Sequence, residues 1–221
     1  MSDLGPRDQQ TESNKGARRT AWLLFLLGLG LIVLYYFMTV PGSSPKVVTD
    51  APGVGDGPQV ALTISGEANG EVVIELFDTL APQHAARILT LVEEGAYDGV
   101  VFHRVIDGFM AQTGDVKHGK QGGDLGMAGT GGSSYPDLPA EFSEEPFVAG
   151  TVGMARSTDP NSANSQFFIM FDKAPHLDGD YTVVGRVIEG MDVVAAIKRG
   201  TGGNGRVVGD PDVLETARVR Q

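Results

Sequence analysis

Residues 21–40, AWLLFLLGLGLIVLYYFMTV, run for twenty positions without a charge. This run divides the chain before any other feature is considered. At ~1.5 Å rise per residue, a helix of that length spans ~30 Å, the hydrocarbon thickness of a bilayer. Trp22 at one end and Tyr35 with Tyr36 near the other suit interfacial aromatic belts. Residues 1–20 carry Asp3, Arg7, Asp8, Glu12, Lys15, Arg18 and Arg19 and almost nothing large and apolar, a composition expected to stay disordered. A run apolar on all faces beside such a tail is poorly placed to be a buried core helix. The competing reading is a cleaved secretory signal, whose apolar region is normally ~7–15 residues before a small-residue cleavage site. Here the run is longer, and MTVPGSSP offers no A-x-A. The stretch therefore reads as an uncleaved, single-pass transmembrane helix. Lys15, Arg18 and Arg19 precede it, whereas only Lys46 lies close behind, followed by Asp50 and Asp56. Positive flanks stay cytoplasmic, so the N-terminus is expected inside and the rest of the chain outside, in the periplasm or at the cell exterior.

Residues 41–59, PGSSPKVVTDAPGVGDGPQ, read as a flexible tether with a reach of roughly 25 Å. The remainder, 60–221, is long enough for one domain, and a hydrophobic content of 41% is enough to bury a core. The formal net charge is −11, and the acidic excess lies wholly after residue 40. Such a surface opposes nucleic acid, whose phosphates need a basic face, and serves solubility. With no cysteine there is neither a disulfide nor thiolate chemistry. An oxidising compartment is compatible with that.

From residue 60, β-branched VALTI, the turn dipeptide Asn69-Gly70 and EVVIELF predict a hairpin. Pro82 in a first turn, then Ala85, Ile88, Leu89 and Val92 at helical spacing, then Gly95, predict a helix. VVFHRV reads as one strand, followed by an Asp107-Gly108 turn and a short strand through Gln112. Further strands are expected over 147–155, 166–170 and 181–187, and a second helix over 190–198. Many short strands with two separated helices suggest an α+β or barrel domain. The glycine-rich segment 119–134 neither follows a clear strand nor opens a periodic helix, so it is not a dinucleotide fingerprint.

The chemistry concentrates in two places. In 101–115, VFHRVIDGFMAQTGD, Phe102, Phe109 and Met110 surround one cation, Arg104, and one amide, Gln112. In 161–170, NSANSQFFIM, Gln166 stands beside Phe167 and Phe168. Together they have the make-up of one apolar pocket with a few directed polar groups. Read alone, Arg104 could equally be half of a surface ion pair with an acid such as Asp107, and the aromatic residues could be plain core.

The block FHR…GFM.Q.GD, then NS.NSQFFI, then HLDG.YTVVG resembles the cyclophilin family of peptidyl-prolyl isomerases in order and spacing, from about Val60 to the C-terminus. The resemblance implies a mainly β fold, an eight-stranded antiparallel barrel capped by a helix at each end. It implies that Arg104, Phe109, Gln112 and Phe168 are catalytic. It places His103, Met110, Ala155, Arg156, Gln166, His176, Leu177 and Tyr181 around the substrate, with Ala155 and Arg156 in the segment whose backbone receives the peptide. Three departures stand out: Arg156 replaces the family's usual asparagine, His176 stands where the best-known members have tryptophan, and Tyr181 stands where those members have histidine. The implied partners are proline-containing polypeptides, which the expected membrane anchor would make exported or membrane proteins as they fold, and cyclosporin should bind more weakly than it binds members with tryptophan at the position of His176. A membrane-tethered peptide-binding chaperone with incidental turnover is the alternative from a different class.

X-Pro rotation makes and breaks no bond, so no nucleophile, metal or cofactor is expected. The barrier of ~18–20 kcal/mol is amide resonance. When the amide twists, the prolyl nitrogen regains its lone pair and can accept a hydrogen bond, for which a guanidinium is a permanent rigid donor. The four histidines show no metal-ligand spacing, and no Gly-x-Ser-x-Gly elbow offers a hydrolase a nucleophile.

Overall fold

The computed structural model describes residues 57–220; the expected polar tail, the apolar run 21–40 and most of the tether lie outside the described residues. Among the described residues, no helix is long and apolar enough to cross a membrane. Nine strands form one antiparallel sheet: β1 Gln59–Ser65, β2 Gly70–Leu76, β3 Val100–Val101, β4 Arg104–Ile106, β5 Met110–Thr113, β6 Thr151–Met154, β7 Phe167–Met170, β8 Val183–Glu189 and β9 Val213–Arg220. Their order is β3-β9-β1-β2-β8-β6-β7-β5-β4. The outermost strands, β3 and β4, are separated in sequence only by Phe102 and His103, so the sheet curls until its ends meet. The expected single strand VVFHRV is thus broken in two. The reason is burial: Phe102 and His103 are 0% and 8% exposed. Adjacent residues of a regular strand face opposite sides, and this chain turns between the two ends of the sheet instead. Counted as one broken strand, β3 and β4 leave eight strands in one curled, mainly β sheet.

The hairpin turn is wider than the dipeptide Asn69-Gly70 predicts. It spans residues 66–69, with the Asn69 side chain donating to the Gly66 carbonyl at 3.1 Å. Strand β9, between β3 and β1, was not foreseen. Its VLETARVR buries Val213, Leu214 and Ala217 and exposes its charges, so no clean alternation marks it.

Helix α1, Pro82–Glu93, lays Ala85, Ile88, Leu91 and Val92 on the main core, and α2, Met191–Ala196, adds Val194. α1 has no capping side chain of its own. The Glu141 carboxylate instead accepts from the Gln83 and His84 backbone N–H groups at 3.1 Å and from the buried His84 ring at 2.6 Å. These satisfy donors that the first helical turn leaves free, and an acid there also suits the helix dipole. The main core fills the barrel with Val60, Leu62, Ile64, Val72, Ile74, Leu76, Tyr97 and Phe102. A second, smaller cluster of Phe77, Met110, Phe147, Phe168, Met170, Leu177 and Val183 lies on the other side of β5 and β7.

Candidate active site

Period-2 alternation explains why these two clusters share strands. On β4, β5, β7 and β6, Val105, Ala111, Phe167, Ile169, Val152 and Met154 belong to the barrel core. The residues between them face the other way. Register then aligns the site: Arg104 pairs with Gln112 across β4 and β5, Gln112 with Phe168 across β5 and β7, and Phe168 with Gly153 across β7 and β6. Gly153 is a packing necessity, because a Cβ there would come within 2.5 Å of the Phe168 ring and 2.6 Å of the Phe147 ring.

Nine of the expected site residues line one cavity of about 150 Å³: Arg104, Phe109, Met110, Gln112, Ala155, Arg156, Phe168, Leu177 and Tyr181. Phe168 forms its floor, stacked on Phe147 at 5.7 Å between centroids and edge-on to Tyr181 at 6.0 Å. His176 sits outside the lining on a 3-10 turn, Pro175–Leu177, and stacks on Phe109 at 5.6 Å. Gln166 lines an adjoining cleft of about 640 Å³, which shares Gln112, Ala155 and Arg156 with the smaller cavity. His103 is not brought to the pocket. It lines a separate cavity with Asp124 and Arg206, and its side chain is buried. Burial pushes its pKa down against the pull of the Asp115 carboxylate.

Arg104 is held by hydrogen bonds and, among the described residues, by no ion pair. Its Nε donates to the Asn204 carbonyl at 2.9 Å and its Nη1 to Gln112 Oε1 at 3.0 Å, with Met110 Sδ at 3.8 Å. Nη2 has no partner among the described residues. Asp107 is paired with Arg199 at 2.9 Å instead, which removes the surface-pair reading. Burial lowers the Arg104 pKa, and the Tyr181 phenol works against it, but a guanidinium remains a cation. The network continues: Gln112 Nε2 donates to Gln166 Oε1 at 2.9 Å, and Gln166 Nε2 to the Gly131 carbonyl at 2.7 Å.

Sequence reading missed what anchors that network. Asp115, fully buried, accepts from the backbone N–H groups of His118 at 2.8 Å, Lys117 at 3.1 Å, Gly129 at 2.8 Å and Gly131 at 2.9 Å. Burial works to raise its pKa, but these donors hold it below the ordinary carboxylate range. The glycine-rich segment thus folds over Asp115 and presents the Gly131 carbonyl to Gln166. The available signal was the Gly-Asp immediately after the Gln112 strand and ahead of the glycines. Asn204, whose carbonyl anchors Arg104, had no sequence signal, since a backbone contact 100 positions away leaves no pattern.

Residues 60–219 match the family described as cyclophilin type peptidyl-prolyl cis-trans isomerase/CLD. A probable peptidyl-prolyl cis-trans isomerase of Brucella suis biovar 1 is 62% identical over 153 residues, covering 68% of this chain and 78% of that protein. A peptidyl-prolyl cis-trans isomerase of Synechococcus elongatus is 40% identical over 133 residues, 59% of this chain and 84% of that one. The crystal structure of a cyclophilin type peptidyl-prolyl cis-trans isomerase from Cryptosporidium parvum shares the fold, with a TM-score of 0.63 at 24% identity over 74% of this chain and 98% of that one. The chain belongs to the cyclophilin family and is a peptidyl-prolyl cis-trans isomerase, acting on proline-containing polypeptides.

Proposed function

We propose that Arg104 is the electrostatic catalyst and that the cavity floored by Phe109, Met110, Phe168 and Leu177 holds the proline ring. The observation that carries this is the Arg104 guanidinium: two of its nitrogens are tied to Asn204, Gln112 and Met110, and Nη2 is left to donate. The donor is in place before substrate arrives, so little reorganisation is needed when the amide twists. Gln112 and Gln166 hold each other, and they hold the substrate backbone while the proline side rotates. One charge-assisted hydrogen bond in a partly enclosed pocket supplies a few kcal/mol, at ~1.4 kcal/mol per tenfold in rate. A tethered binding module would need the apolar floor but not the free guanidinium, and this favours the enzyme as the working role of the site. Turnover of an X-Pro peptide by Arg104→Ala tests it: a loss of about ten- to a thousandfold in kcat/KM is expected, and full activity in the folded variant would contradict it.

The segment 21–40 anchors the enzyme in a membrane with residues 60–221 outside the cytoplasm, where exported and membrane proteins fold. The apolar run and the Lys15, Arg18, Arg19 flank support this. The chain should resist carbonate extraction from membranes, and protease added to spheroplasts should digest the domain. A soluble mature form starting near residue 40 would mean a signal peptide, and protection in spheroplasts the opposite topology. Cyclosporin should bind weakly, because the imidazole of His176 offers less apolar face than an indole. Equal affinity in His176→Trp would show that this position does not govern the ligand.

A further inference from the structure

Arg156 lines both the proline cavity and the adjoining cleft, and it stands on the ridge between them. Four contacts fix it. Its Nη1 donates to the Ser157 carbonyl at 2.9 Å and to the Thr158 carbonyl at 3.4 Å, its Nη2 donates to the Asp180 carbonyl at 2.9 Å, and the guanidinium lies 4.3 Å from the centre of the Tyr181 ring. Its Nε is buried with no hydrogen-bond partner. No carboxylate lies within ion-pairing distance among the described residues. A mobile surface arginine would spend side-chain entropy to bind. This one is already immobilised by neutral carbonyls and a ring face, so its charge is unspent.

The charge around the proline cavity runs against that of the whole chain, whose formal net charge is −11. The cavity is bounded by two guanidiniums, Arg104 and Arg156, and by no acid. The one carboxylate in the wall of the larger cleft, Asp137, already accepts from Asn164 Nδ2 at 2.8 Å. A peptide with its proline in the smaller cavity must cross the Arg156 ridge to enter the cleft. We propose that Arg156 sets specificity, making this isomerase prefer X-Pro segments with a carboxylate on a residue next to the proline. The inference rests on the proposed proline cavity.

The test uses the full chain and matched peptides with Glu, Gln or Lys immediately before or immediately after the proline. The readout is the ratio of kcat/KM for Glu over Lys within each protein, so any general loss of activity cancels. In the native chain the ratio should be about five- to twentyfold at one of the two positions, as expected for one charge reversed a few ångströms from another near water. It should fall toward one in Arg156→Gln, survive in part in Arg156→Lys, and shrink as salt is raised. A ratio near one at both positions in the native chain, a ratio insensitive to salt, or one unchanged in Arg156→Gln would overturn the proposal. Turnover without charge preference would leave the proline cavity standing. If Arg104→Ala and Phe168→Ala retained full activity, the cavity reading would fall, and this inference with it.

Discussion

The two faces of β4, β5, β6 and β7 are built from alternate residues of the same short segments, yet they do different work. The inner face, with Val105, Ala111, Val152, Met154, Phe167 and Ile169, is at most 3% exposed and closes the barrel. The outer face carries Arg104, Gln112 and Phe168 in one cross-strand row, with Gly153 hollowed out to admit a ring. Stability on one side makes positional precision on the other, because a strand held by its inner residues cannot shift its outer ones. Inner substitutions should therefore cost folding free energy and leave the chemistry of folded molecules alone. Outer ones should act mainly on substrate binding and turnover, with a smaller cost in stability.

The largest effect expected is on the inner face. Ile169→Ala leaves a cavity in a fully buried position and should cost ~2–5 kcal/mol. Denaturant unfolding measures it, and folded molecules should keep their KM. Phe168→Ala, its neighbour on the other face, should lose less than the ~3–5 kcal/mol of a tightly packed Phe, because one side of its ring borders the cavity. Its main effect should be a raised KM for a proline peptide. Unchanged binding in the folded variant would place the pocket elsewhere. Gly153→Ala sharpens the contrast, since the residue touches no substrate yet its new methyl would drive against Phe168 and Phe147. A cost of ~1–3 kcal/mol is expected for such overpacking, with KM rising as the floor tilts.

The smallest effect concerns pH. Asp115 and Glu141 have folded-state pKa values below their ordinary ones, since hydrogen bonds to the carboxylates outweigh burial. Their contribution is fully present above the ordinary carboxylate range, ~4, and is lost as pH falls through the depressed folded values. The melting temperature should decline below that pH, and Asp115→Asn should flatten the decline. Near neutral pH, activity should be flat, because Arg104 does not titrate there.

How much of this was legible follows from what leaves a pattern. Arg104, Phe109, Gln112 and Phe168 could be picked out because chemistry-bearing residue types cluster in two short motifs, and α1 because its apolar spacing is helical. The α1 cap came from Glu141, 58 positions beyond Gln83, and could not be seen. The break at Phe102 and His103 was hidden because both are apolar enough to continue a strand, and only closure of the sheet demands that both be buried. Strand β9 was hidden by its charges. His103 shows the limit most plainly: adjacent to Arg104 in sequence, it points into a different cavity.

The central claim is that a pre-placed guanidinium on the outer face accelerates rotation while the inner face carries the fold. It is tested most directly by measuring kcat/KM on an X-Pro peptide and the unfolding free energy together, for native chain, Arg104→Ala and Arg104→Lys. The account predicts a loss of about ten- to a thousandfold in Arg104→Ala, with unfolding changed by less than in Ile169→Ala. Only partial rescue by lysine is expected, since an ammonium cannot hold Asn204 and Gln112 and still present a donor in the same geometry. Native activity in a folded Arg104→Ala, or a loss explained wholly by unfolding, would contradict it.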